Sequence, residues 1–68
     1  MEELANKLKE LRKRKGWSQA KVAAQLPIDR TTYCKYENGL VEPPLSLLVM
    51  LCRVLDTSPN HLLGWDEK

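Results

Sequence analysis

Apolar residues recur along this chain at spacings of three and four, the period of a helix with one buried side. Near the N-terminus three leucines form such a stripe, namely Leu4, Leu8 and Leu11. Acidic residues precede this stripe and a basic cluster ends it, in the order that the helix dipole favours. With Gly16 as a C-terminal stop, the pattern predicts a first helix over residues 2–15.

Two short helices joined by a tight turn are predicted next. Ser18 suits the N-cap of a helix that runs to about Leu26. Asp29 suits the N-cap of a third helix, Arg30 to Asn38, which Gly39 ends. The side chains expected to face inward are Val22, Ala23, Leu26, Ile28, Tyr33 and Tyr36.

The remaining chain predicts two further helices. Pro44 suits the first turn of a fourth helix over roughly 44–55, with an inward stripe of Leu45, Leu48, Leu51, Cys52 and Leu55. Ser58 and Pro59 open a short fifth helix that ends at Gly64. With no strand signal and no repeat, the expected fold is all-α, with five helices around one core. It forms a single domain over residues 1–64, followed by a short tail, 65–68.

A second apolar row lies outside the predicted core stripe of the fourth helix. Together with Trp65, it consists of Leu47, Met50 and Val54. This is more nonpolar surface than a monomer of this size normally exposes. We expect it to form a symmetric homodimer contact; burial under the C-terminal tail of the same chain is the alternative.

Charge is unevenly distributed, although the net charge of the 68 residues is only +2. Residues 1–36 carry nine Lys and Arg against four Asp and Glu, a balance of +5. Residues 37–68 carry two against five, a balance of −3. A basic half of this kind is typical of a surface that faces nucleic acid.

Several classes of protein are disfavoured by the sequence. The uninterrupted apolar run from Leu47 to Cys52 is too short to span a bilayer, and the acidic N-terminus does not resemble a secretory signal. Two cysteines and the single His61 at scattered spacing make no metal site. We therefore expect a cytoplasmic binding module without cofactor or metal rather than an enzyme.

The third helix carries the candidate binding chemistry. Arg30, Thr31, Cys34 and Lys35 share the side opposite the tyrosines, where long polar side chains can reach into a groove. In most proteins such a helix face is simply solvated. The preceding turn and helix make a helix-turn-helix unit the better interpretation, with Gln19 placed to contact a phosphate.

The combined pattern resembles the Xre/Cro-like helix-turn-helix family, whose fold is that of the lambda-repressor DNA-binding domain. The resemblance covers residues 4–64 and rests on Leu8-x-x-Leu11-Arg12, Gly16-Trp17-Ser18-Gln19 and Tyr33-x-x-Tyr36-Glu37-Asn38-Gly39. It implies a bacterial or phage regulator of transcription, usually a repressor, that binds near-palindromic double-stranded DNA as a dimer. A protein-binding module on the same fold, such as an antitoxin or a partner-controlled adaptor, is the alternative.

The resemblance also implies roles for individual residues. Those matching positions that meet base edges are Arg30, Thr31, Thr32 and Lys35. Those matching phosphate contacts are Ser18, Gln19 and Asn38, and Gln19 would also brace the start of the third helix. Nonspecific attraction to the DNA backbone is expected from Arg14, Lys15 and Lys21. Arg12 and Glu37 match an ion pair between the first and third helices.

Two positions depart from the family pattern in ways that affect the backbone. Pro27 stands where a glycine is common, so a left-handed residue is excluded there and the turn must differ locally. Pro44 replaces a usual Ser or Asp cap. The position of Arg12 at the edge of the apolar stripe also allows a second interpretation, in which it is a surface arginine whose aliphatic part covers the stripe.

Overall fold

The computed structural model describes residues 2–64 and contains five α-helices within that range. They are α1 (Glu2–Arg14), α2 (Gln19–Ala23), α3 (Arg30–Glu37), α4 (Leu45–Val54) and α5 (Pro59–Leu63). Helix α1 packs against α3 and α5, α2 packs against α3, and α4 packs against α5. The predicted all-α fold with five helices is confirmed.

Short-range hydrogen bonds start three of the helices. Ser18 Oγ accepts from the Lys21 N–H at 3.0 Å, Asp29 Oδ1 accepts from the Thr32 N–H at 2.8 Å, and Ser58 Oγ accepts from the His61 N–H at 3.1 Å. Each satisfies a backbone donor that the first helical turn leaves unpaired. These N-caps stand at the positions that the sequence predicts.

Left-handed glycines end α1 and α3. At α1, Gly16 has φ 72°, its N–H donates to Lys13 O at 3.0 Å, and the Trp17 N–H donates to Arg12 O at 3.2 Å. This is the Schellman arrangement, which only a residue with positive φ completes without strain. Gly39, with φ 73°, ends α3 in the same way.

The connection between α2 and α3 differs from the expectation in length. Helix α2 ends at Ala23 rather than near Leu26, because the N–H groups of Gln25 and Leu26 bond back only three residues. Such tighter turns are common where a helix must end, and Pro27 prevents its continuation. Across residues 2–64, positive φ occurs only at Gly16, Gly39, Asp56 and Gly64, so this turn contains no left-handed residue.

The core draws apolar side chains from all five helices. The fully or almost fully buried members include Leu4, Leu8, Val22, Tyr33, Leu51, Leu55 and Leu62. Leu11, Trp17, Ile28 and Leu48 pack against this cluster while staying partly exposed. Within residues 2–64 no helix is long and apolar enough to cross a membrane.

Helix α4 is rotated relative to the predicted stripe. Leu45, expected in the core, is 76% exposed, whereas Leu47, expected on an exposed dimer row, is 9% exposed and belongs to the core. Residues two apart lie roughly 160° apart around a helix axis, so both cannot face inward. Val54 also packs against the core, Met50 remains exposed, and Trp65 lies outside the described residues. The prediction that Leu47 belongs to an exposed row is therefore wrong, whereas the dimer contact itself stays a prediction.

Helix α4 begins at Leu45, one residue later than predicted, so Pro44 precedes its first turn. Pro44 is the N-cap of α4 with extended ψ of 163°, and no side chain caps the helix there. Proline has no side-chain acceptor, so the first N–H groups of α4 lack the partner that Ser or Asp would supply. The departure seen in the sequence thus leaves an uncapped helix start beside the exposed Leu45.

Candidate nucleic-acid interface

Helix α3 is held to α1 by a buried ion pair. Arg12 Nε donates to Glu37 Oε2 at 2.6 Å, and Arg12 Nη2 donates to Glu37 Oε1 at 3.1 Å. The Glu37 side chain is completely buried and that of Arg12 is 12% exposed. Arg12 is therefore a structural ion-pair residue and not a surface arginine.

Gln19 and the backbone of Trp17 extend this pair into a network. Gln19 Nε2 donates to Glu37 Oε1 at 3.0 Å, and Arg12 Nη1 donates to Trp17 O at 2.8 Å. The family resemblance implied that Gln19 braces the start of α3. In the structure Gln19 instead contacts Glu37, at the end of α3. Glu37 accepts from side chains of both α1 and α2, so one carboxylate fixes three helices relative to each other.

These hydrogen bonds determine the ionisation of Glu37. Burial favours its neutral form, but hydrogen bonds and the charge of Arg12 outweigh burial, so the pKa of Glu37 lies below its ordinary value. The adjacent Tyr33 hydroxyl is buried and has no hydrogen-bond partner of ordinary geometry among residues 2–64. Burial, followed by the nearby Glu37 carboxylate, raises the pKa of Tyr33, so this hydroxyl stays neutral.

The exposed side of α3 presents most of the predicted base-reading residues together. Arg30, Thr31 and Lys35 are exposed, and Thr32 is half-buried. A cleft of about 320 Å³ is lined by Arg30, Thr31, Cys34, Lys35, Asn38 and Leu40. The structure therefore groups three of the four predicted residues on one cleft and places Thr32 outside that lining.

Three lining residues of this cleft were not among the predicted base contacts, although one of them, Asn38, was a predicted phosphate contact. Cys34 Sγ accepts from Asn38 Nδ2 at 3.4 Å, so the thiol orients the amide at the end of α3. Leu40 is 71% exposed and brings an apolar side chain to the same cleft. The sequence did not predict that Leu40 lies at this cleft, because an apolar residue in a loop after a helix is equally compatible with a place in the core.

The predicted phosphate-contacting residues lie at the end of α1, on α2 and its N-cap, and at the end of α3. Ser18, Arg14, Lys15, Lys21 and Asn38 are exposed and Gln19 is half-buried. Arg14 Nη2 also contacts Glu10 Oε2 at 3.1 Å in an exposed pair. The ammonium groups of Lys15 and Lys21 each lie 5.0 Å from the centroid of the Trp17 ring. These residues thus bring cations and hydroxyl and amide donors to the surface.

Within the described residues, no cluster of three or more His, Cys, Asp or Glu side chains is placed to hold a metal ion. Cys34 is half-buried and Cys52 is buried, both as free thiols. Burial raises the pKa of Cys52, so that side chain behaves as an apolar core residue. The chemistry of the site is therefore that of hydrogen-bond donors and positive charge.

Comparison with known proteins decides the family. The family model described as "Helix-turn-helix domain" matches residues 3–63, almost the whole described chain. The chain belongs to the helix-turn-helix family. The predicted family relationship is confirmed, and α2 and α3 of this helix-turn-helix domain are the elements that give the family its name.

Curated relatives of this helix-turn-helix domain are named as regulators. The HTH-type transcriptional regulator AnsR of Bacillus subtilis (strain 168) is 41% identical over 63 residues, 93% of this chain and 54% of AnsR. The SPbeta prophage-derived uncharacterized HTH-type transcriptional regulator YonR of the same organism is 44% identical over 57 residues, 84% of this chain and 53% of YonR. The chain thus spans about half the length of these two relatives.

A third relative has a length close to that of the present chain. The uncharacterized HTH-type transcriptional regulator YgzD, also of Bacillus subtilis (strain 168), is 31% identical over 65 residues, which are 96% of this chain and 98% of YgzD. No solved structure matches the chain. The match therefore covers nearly the whole length of both YgzD and the present chain.

Proposed function

We propose that this domain binds double-stranded DNA in a sequence-specific manner and regulates transcription, most simply as a repressor, in the bacterial cytoplasm. One observation carries the proposal: Arg30, Thr31 and Lys35 project from one exposed side of α3, and a buried ion pair fixes that helix to the rest of the fold. The names of the relatives as transcriptional regulators support it.

In this function α3 lies in the major groove with its N-terminal end deepest. Arg30, at the first position of α3, is exposed and presents the planar fork that pairs with O6 and N7 of guanine. Thr31 donates to a base edge or packs its methyl on thymine. Lys35, one turn further along, contacts a base or a phosphate. Thr32, which is half-buried, contacts a base at the edge of the groove.

The phosphate-contacting residues retain donors after their internal contacts are made. Ser18 uses its oxygen as an acceptor for the Lys21 N–H, which leaves its O–H to donate. The amides of Gln19 and Asn38 each use one N–H internally, to Glu37 and Cys34, and keep a second. With Arg14, Lys15 and Lys21 they would position the duplex without reading its sequence.

Substitution Arg30→Ala tests the reading role. Binding-site selection from random duplexes should show a guanine preference at one position of each half-site in the wild type and lose it in the variant. The expected loss of discrimination there is about 1–3 kcal/mol. Arg53→Ala is the matched control, since Arg53 is exposed and stands on α4 rather than on α3. An unchanged preference in Arg30→Ala would remove Arg30 from the reading role.

The surface proposed for the homodimer keeps Met50 of the predicted row but not Leu47, which the core buries. Exposed large apolar side chains lie after α3 and on the outer side of α4, at Leu40, Val41, Leu45, Val49 and Met50. Such a patch on a small domain typically marks an interaction surface. It starts directly after the recognition helix, so a two-fold contact there would place two α3 helices side by side on one duplex.

Leu45→Glu tests this surface, because it introduces two charges into a symmetric contact. Sedimentation with a palindromic duplex should show two wild-type chains per duplex at micromolar concentration and one chain of the variant. Asn60→Glu, at an exposed position of α5, should leave the two-chain complex intact. A wild-type chain that is strictly monomeric, both free and on DNA, would rule out the homodimer.

A further inference from the structure

Two lysines share one aromatic ring at the junction of α1 and α2. Lys15 Nζ and Lys21 Nζ each lie 5.0 Å from the centroid of the Trp17 indole, within the range of a cation–π contact. Because both are 5.0 Å from one point, the two ammonium groups are at most 10 Å apart. We refer to Lys15, Trp17 and Lys21 as the lysine–indole cluster.

The indole at the centre of this cluster is fixed to the recognition helix. The Trp17 side chain packs against the core. The backbone N–H of Trp17 donates to Arg12 O at 3.2 Å, and its backbone carbonyl accepts from Arg12 Nη1 at 2.8 Å. Arg12 in turn binds Glu37 of α3 through two hydrogen bonds. Arg12 therefore holds both backbone groups of Trp17 at a defined place relative to α3.

The cluster brings two positive charges together, and among residues 2–64 neither Lys15 nor Lys21 forms an ion pair with a carboxylate. Two ammonium groups this close repel each other, and the repulsion falls when an anion lies between or beside them. Lysine side chains normally lose much rotational freedom when they bind a phosphate. An exposed cation–π contact, which corresponds to a factor of about two to five in an equilibrium constant, restricts that freedom in advance.

We propose that Trp17 is a positioning residue that orients Lys15 and Lys21 as a clamp on backbone phosphates of the duplex, beside the bases that α3 reads. This inference rests on the proposed DNA-binding function. The clamp adds affinity for any duplex and no sequence preference, since phosphates are the same at every base pair. Its geometry relative to α3 is set by Arg12.

The test measures dissociation constants by fluorescence anisotropy for a selected site and for a scrambled duplex of equal length. Trp17→Leu keeps an apolar side chain and removes the aromatic face. It should weaken binding to both duplexes by about three- to tenfold. Trp17→Phe keeps a smaller aromatic face and should restore part of the affinity, which a purely volume-filling role of the side chain would not predict.

A double-mutant cycle separates positioning from a general structural effect. In a Lys15→Ala/Lys21→Ala background, Trp17→Leu should change the affinity by less than about twofold, because no lysine remains to be oriented. The control background is Lys13→Ala, which removes an exposed α1 lysine outside the cluster. There Trp17→Leu should retain its full effect.

The outcomes distinguish this inference from the function on which it rests. An equal loss for Trp17→Leu with and without Lys15 and Lys21 would overturn the clamp while leaving DNA binding in place. A wild-type chain that binds neither duplex would overturn both proposals. If the circular dichroism spectrum shows that Trp17→Leu is unfolded, Trp17→Phe replaces it in the cycle. An equal loss of affinity for Trp17→Phe with and without Lys15 and Lys21 would again contradict the clamp.

Discussion

Replacing Glu37 with Gln is expected to lower the free energy of unfolding by about 3–5 kcal/mol. The substitution leaves the Arg12 guanidinium, whose side chain is 12% exposed, without its charged partner. It also replaces one acceptor oxygen by a donor, and in either orientation of the new amide that donor faces an N–H group of Arg12. A single core of this size supplies only about 3–5 kcal/mol in total, so the variant should be largely unfolded at 25 °C. Urea titrations followed by circular dichroism measure the difference.

The matched control is Glu10→Gln, which removes the carboxylate of the exposed Arg14–Glu10 pair. The side chains of that pair are 69% and 50% exposed, and both stand on α1. Its loss should change stability by less than about 1 kcal/mol, as is usual for solvated pairs. A Glu37→Gln variant that unfolds within about 0.5 kcal/mol of the wild type would contradict the assignment of Glu37 as the buried anchor of α3.

The same pair predicts a pH dependence of stability. Since the pKa of Glu37 in the folded state lies below its unfolded value, the stabilisation by ionised Glu37 is present above the unfolded pKa. It is lost as the pH falls through the folded pKa. The stability difference between wild type and Glu37→Gln should therefore shrink on acidification and stay constant near neutral pH.

Truncating Leu47 to Ala is expected to lower the free energy of unfolding by about 2–3 kcal/mol. Leu47 belongs to the core cluster and is 9% exposed, so its removal leaves a cavity next to the edge of the core. The value lies at the lower end of the range for core leucines, because a site near the surface can partly collapse. Thermal and urea unfolding of the monomer, at low micromolar concentration, provide the measurement.

Leu45→Ala is the matched control on the same helix. Its side chain is 76% exposed, and the same chemical change should alter the stability of the monomer by less than about 0.5 kcal/mol. Equal losses for the two variants would show that α4 does not bury the side that contains Leu47. The comparison tests the rotation of α4 directly, since both substitutions remove the same atoms from the same kind of residue.

Much of the candidate site could be predicted from the sequence because its elements are local. The caps at Ser18 and Asp29 each bond to an N–H three residues ahead, and Gly16 and Gly39 end helices by backbone conformation alone. These signals place the start and end of α3, and the helical period then assigns Arg30, Thr31 and Lys35 to one side. The partner of Gln19 was misassigned, because nothing local specifies a contact 18 residues away.

Local chemistry by itself thus determined that residues 2–64 form five short helices, where the helix-turn-helix unit lies and which residues form its exposed face. Only the tertiary structure decided which side of α4 is buried. The run from Leu45 to Cys52 is apolar at every position except Ser46, so its period allows more than one inward stripe. Packing against α5 and the rest of the core selects Leu47 and exposes Leu45.

The tertiary structure also decided how the recognition helix is held. Arg12 and Glu37 are separated by 25 residues, and their pairing is strong only because the fold removes water around the carboxylate. The same arginine fixes Trp17, on whose ring Lys15 and Lys21 converge. Short-range hydrogen bonds and helical period are encoded locally, whereas burial and convergence of distant side chains exist only once the helices have packed.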